Sequence, residues 1–61
     1  MTFEFNGTRY QIGDAELHCG DTFNVRVAGR WLPVRIEMDA SNAWYLIGAD
    51  IGEAEGCEAR I

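Results

Sequence analysis

Phe23-Asn24-Val25-Arg26-Val27-Ala28-Gly29-Arg30-Trp31-Leu32-Pro33-Val34 decides how this chain is read. Phe23, Val25 and Val27 alternate with Asn24, Arg26 and Ala28, the period-two pattern of a strand with one buried face. Ala28-Gly29 makes a tight turn, and the partner strand runs from Arg30 to Glu37. Counting back from that turn pairs Val25 with Leu32 and Phe23 with Val34 on the inner face, leaving Trp31, Pro33, Arg35 and Glu37 outside.

The flanking segments extend the same pattern. Upstream, Asn6-Gly7 is a strong hairpin signal for a two-residue type I′ turn. It pairs Phe3 with Tyr10 inside and Glu4 with Arg9 outside, and puts Phe5, Thr8 and Ile12 on the inner face as well. From Gly13 to Thr22 the pattern breaks into a loop in which Leu17 is the one apolar anchor. Downstream, Trp44-Tyr45-Leu46-Ile47 is apolar throughout, so alternation cannot choose its buried face and the preceding loop must. A four-residue loop, Asp39 to Asn42, suits a type I turn, with Met38 and Ala43 closing the hairpin. It sets Tyr45 against Ile36 and Ile47 against Val34, with Trp44 and Leu46 outward; a three- or five-residue loop reverses this. Gly48 to Gly56 reads as an acidic connection with a short 3₁₀ turn around Ile51, and Cys57, Ala59 and Ile61 as the inner residues of a closing strand. Short strands at close spacing, glycine turns and no helical period predict an all-β fold. The expected architecture is a small SH3-like barrel of five to six antiparallel strands, one domain over residues 1–61.

Composition bounds the function. With 61 residues, 48% of them hydrophobic, the core is real but thin, and a domain of this size hides only about 60% of its unfolded surface. No signal peptide and no apolar run of about 20 residues is visible, so the expected location is the cytoplasm. The two cysteines, Cys19 and Cys57, form no dense disulfide framework, and reduced thiols fit that location; whether they bond is left open. A net charge of -5 repels phosphate backbones and anionic membranes, so neither nucleic acid nor membrane is expected as a direct partner. All five cations are arginines, which suit planar, partly desolvated contacts.

Glu16-Leu17-His18-Cys19-Gly20-Asp21, Val25, Gly29, Trp31, Arg35-Ile36-Glu37, Trp44-Tyr45-Leu46 and Arg60-Ile61 together form a pattern. It resembles a family of short bacterial domains of unknown function associated with mobile genetic elements. The resemblance implies a small β fold and a bacterial origin, and brings no activity or site residue with it.

The candidate site is an outer cluster of Arg26, Trp31, Pro33, Arg35 and Trp44, a protein-binding surface for a partner or a second copy. Arg26 opposite Trp31 can lay its guanidinium over the indole, a contact worth about 0.5–1 kcal/mol at an exposed site, and Trp and Arg dominate interface hot spots. His18, Cys19, Asp21 and Cys57 are zinc-ligand types without zinc spacing, so no metal site is expected. Asp50, Glu53, Glu55 and Glu58 lack the spacing of a calcium loop and read as a solvated surface. With one histidine, one serine and no lysine, no catalytic residues and no cofactor are expected, and the chain is read as a non-enzyme. The alternative function is a small acidic inhibitor that fills the basic nucleic-acid-binding groove of a host protein.

Overall fold

The computed structural model describes residues 1–61. The chain runs β1 (Phe3–Phe5), β2 (Tyr10–Ile12), β3 (Ala15–Glu16), β4 (Thr22–Val27), β5 (Arg30–Met38), β6 (Trp44–Ile47), α1 (Ile51–Ala54) and β7 (Ala59–Arg60). These build two antiparallel sheets, ordered β1-β2-β3 and β6-β5-β4-β7.

The central hairpin forms in the expected register, with Phe23 opposite Val34, Val25 opposite Leu32 and Arg26 opposite Trp31. Its turn places Ala28 at φ 52 and Gly29 at φ 77, the paired left-handed residues of a type I′ turn. Pro33 is tolerated in the sheet because of where its nitrogen points. The N–H and C=O of Ile36 both bond toward the β4 side, to Asp21 and Gly20. Alternation then turns the nitrogen of Pro33 toward the β6 side, beyond Ile47, where β6 has ended.

Two registers differ from the sequence reading. The first hairpin pairs Phe3 with Ile12, Glu4 with Gln11 and Phe5 with Tyr10, so its loop is four residues long, not two. Asn6 is the reason: its Oδ1 accepts from the N–H groups of Thr8 and Arg9, and its own N–H bonds the Arg9 carbonyl. An asparagine side chain used this way mimics a backbone turn. The slip is by two, so the faces of the strands are preserved; Phe3 and Ile12 are buried, while Phe5 stays exposed near the loop and Thr8, expected inside, falls in the loop and is exposed.

The second difference inverts a strand. Met38 pairs with Trp44, Glu37 with Tyr45, Ile36 with Leu46 and Arg35 with Ile47, so the loop is Asp39 to Ala43, five residues. Asp39 Oδ1 collects the N–H groups of Ser41 and Ala43 and the Ser41 hydroxyl, and Asn42 takes φ 66. Asparagine is one of few residues that adopt this left-handed conformation readily. A one-residue slip exchanges the two faces: Leu46 is buried and Trp44 half-buried against the core, while Tyr45 (40%) and Ile47 (46%) are exposed.

The Ile51 segment is a turn of α-helix rather than 3₁₀, with i to i−4 bonds from Ala54 to Asp50 and Glu55 to Ile51 and Asp50 as N-cap. Ala54 plugs the core, where Phe3 stacks on Tyr10 and Phe23 at 4.8 and 5.2 Å. Leu17 dips inward as expected, but the loop around it also contributes β3. Ile61 lies beyond the end of β7 and is exposed rather than inner.

The sheets meet along one seam. Phe3 N–H bonds the Cys57 carbonyl at 2.9 Å, Gly56 N–H bonds Phe3 at 2.7 Å, Ala59 N–H bonds Met1 at 2.6 Å, and Thr2 bridges Glu58. The other side stays open. Barrel closure needs a ladder between the remaining edges, and β3 and β6 share none, so the expected closed barrel does not form. Arg9 spans that gap, bonding the Leu17 carbonyl at 3.1 Å with its guanidinium 5.6 Å from the Trp44 ring centroid.

Candidate protein-docking face

The outward face of the four-stranded sheet gathers most of the residues singled out in the sequence. Outward side chains alternate along each strand, so Asn24 and Arg26 of β4 share this face with Trp31, Pro33, Arg35 and Glu37 of β5. β7 adds Arg60, which pairs with Asn24, and β6 adds Tyr45 and Ile47.

Trp31 is the centre of the arrangement. The Arg60 guanidinium lies 4.0 Å from its ring centroid and that of Arg26 lies 5.9 Å away. Two guanidiniums against one indole fix a half-buried ring without hiding it. Pro33 beside it is exposed. Arg35 Nε pairs with Glu37 Oε2 at 3.1 Å, an exposed bridge that orients the guanidinium more than it stabilises the fold. Between Pro33, Arg35, Ile47, Thr22 and Asn24 the surface dips into a shallow hollow of about 620 Å³.

Trp44 does not belong to this face. The five-residue loop turns it to the other side of the sheet, under Arg9. Its place is taken by Tyr45 and Ile47, which the sequence reading put in the core; Leu46, expected outside, is buried. Arg60 was the residue most worth finding. The Glu58–Arg60 alternation marks it as outward, but no sequence signal shows that β7 pairs with β4 and so delivers it to Trp31.

Elsewhere, His18 and Asp21 form a local contact in which Asp21 accepts the His18 N–H at 2.8 Å. No three of the His, Cys, Asp and Glu side chains gather as a metal-holding group. Cys19 is exposed and Cys57 half-buried; both are free thiols, with Cys57 Sγ donating to the Glu53 carbonyl at 3.2 Å. No helix is long and apolar enough to cross a membrane.

The model of a family described as a domain of unknown function, DUF5348, matches residues 1–61. A crystal structure of a protein from Ruminococcus gnavus is similar over 98% of this chain and 93% of that one, at 35% identity and a TM-score of 0.71. No curated protein matches.

Proposed function

This chain belongs to the DUF5348 family, and on that premise we propose that it is a non-catalytic protein-interaction module that docks its partner on the outward face of the four-stranded sheet. The observation that carries this reading is Trp31 with the guanidiniums of both Arg26 and Arg60 against its ring. An indole fixed by two cations is pre-ordered, so little side-chain entropy is lost when a partner covers it. Arg26, Arg35 and Arg60 outnumber Glu37 and Glu58 on this face of a chain whose net charge is -5, which favours a short acidic segment over a long polyanion. The resemblance described above supports a bacterial or mobile-element setting, and two free thiols, one exposed, suit a reducing cytoplasm.

The acidic-inhibitor reading draws less support. Carboxylates are spread over β1, β3, β5, α1 and the loops, and Glu16, Asp21, Glu37, Asp39, Asp50 and Glu55 are each engaged by groups of their own chain. The test is capture from lysate with the wild type and with Trp31→Ala and Arg60→Ala. Both variants should keep the wild-type circular dichroism and lose the captured partner. Capture that survives both substitutions with the fold intact removes the basis for this face.

A further inference from the structure

We propose that β6 is a dimerisation edge, pairing antiparallel with β6 of a second copy across a two-fold axis at Leu46. The inference shares Tyr45 and Ile47 with the docking face, but it rests on the backbone of the strand rather than on Trp31. Ile36 directs its N–H and C=O toward the β4 side, so Ile36 and Leu46 are a non-hydrogen-bonded pair, while Arg35–Ile47 and Glu37–Tyr45 are the bonded ones. The polar backbone groups of Leu46 and Trp44 therefore point away from β5, to the open edge of the sheet. No side-chain or loop hydrogen bond reaches residues 44–48 from elsewhere in the chain, and Arg9 meets this strand only at the Trp44 ring, on the side of the sheet opposite Tyr45 and Ile47.

Exposed edges are ordinarily guarded by charge, proline, a bulge or brevity. The other open edge, β3, is two residues long and carries Glu16. β6 is four residues, Trp44-Tyr45-Leu46-Ile47, with no charge and no proline.

The edge is also self-complementary. With Leu46 against Leu46 of the second copy, the two leucines exchange N–H to C=O bonds, and Tyr45 of each copy faces Ile47 of the other. Those side chains are half-exposed in the single chain and project to the same outer face. They meet as a close, non-hydrogen-bonded aromatic and β-branched pair, a favoured cross-strand combination. No charged side chain lies on the strand to oppose it. The result is a continuous eight-stranded sheet. A second copy fits better than a foreign strand because one register satisfies both the bonding pattern and the side-chain pairing on both sides.

Strand pairing alone hides less than the roughly 1,200 Å² of a stable interface, so the dimer is expected to be weak, with a dissociation constant below millimolar. Because each copy carries net charge -5, salt should strengthen it by screening. Sedimentation equilibrium from micromolar to millimolar chain, at low and high salt, reads the association. Hydrogen exchange of the Leu46 amide, which should slow as concentration rises, reads the edge. Ile47→Lys, and a chemically synthesised chain with N-methyl Leu46, should each weaken association about tenfold or more; the N-methyl group leaves the β5 ladder untouched, so it serves if the lysine variant fails to fold. A monomer at millimolar concentration overturns the proposal. So does association that Trp31→Ala abolishes while Leu46 exchange stays independent of concentration, since the docking face would then be the contact.

Discussion

Gly48 shows how one residue can hold a junction. It sits at φ +107 directly after β6, and a Cβ there would lie 2.6 Å from the Pro33 carbonyl oxygen. Backbone cannot yield as a flexible side chain can, so Gly48→Ala should destabilise the fold by about 2 kcal/mol or more, conformational and steric penalties acting together. Gly20→Ala, at φ +90 with nothing within 4 Å, should lose only about 1 kcal/mol. Urea unfolding of the two variants side by side checks the contrast; equal losses would mean the approach to Pro33 is harmless. Asp39 is a second such residue. The N–H of Ala43, then the hydroxyl and N–H of Ser41, hold its carboxyl below the usual carboxylate range. A carboxyl depressed in the folded state contributes stability above its unfolded pKa, and that contribution fades as pH falls through the folded value. Wild-type urea midpoints should therefore drop more steeply than those of Asp39→Asn as pH is lowered from about 4.5 toward the depressed value. Parallel curves would show that the turn does not depend on the charge.

At the scale of elements, the hairpin of β4 and β5 was legible because Ala28-Gly29 has no rival as a turn and the flanking alternation is clean. With it came Trp31, Arg26, Pro33 and Arg35 on one face. The neighbouring strand was illegible for an equally physical reason. Trp44-Tyr45-Leu46-Ile47 carries no alternation, so its face depends on whether the loop holds four residues or five, and Asp39 decides that by reaching to Ala43 with its side chain. Asn6 lengthened the first loop in a similar way. In both cases a side chain stands in for backbone, which residue-type turn rules do not see. Helix α1 is too short to persist by propensity alone; the cap from Asp50 and the burial of Ala54 hold it. Ala54 has no exposed surface, so Ala54→Leu should overpack the core and lose about 1–3 kcal/mol. A thermal melt unchanged by this substitution would mean that the helix swings away without harm to the sheets.

Across the whole molecule, the two sheets hold together mainly through strands from opposite ends of the chain, and Tyr10 adds a tie by donating its hydroxyl to Glu55 at 3.1 Å. The seam of Met1, Thr2 and Phe3 with Gly56, Cys57, Glu58 and Ala59 pairs the residues most distant in sequence. Its geometry bears on time rather than on shape. Contacts between chain ends require the longest loop to close, and folding rate falls as the average sequence separation of contacts rises. The central hairpin closes over two residues and needs no such search. Folding should therefore run from the hairpin outward, with the seam zipping late, so that substitutions at Val25 or Val34 slow folding while substitutions at Thr2 or Glu58 chiefly speed unfolding. A circular permutant that links Ile61 to Met1 and opens the chain between Cys19 and Gly20, where β3 and β4 share no ladder, turns the seam into a local hairpin and leaves every other hairpin intact. Stopped-flow refolding of that permutant should be faster than that of the original order, at equal final structure, because the slow search for the far end has been written into the covalent chain.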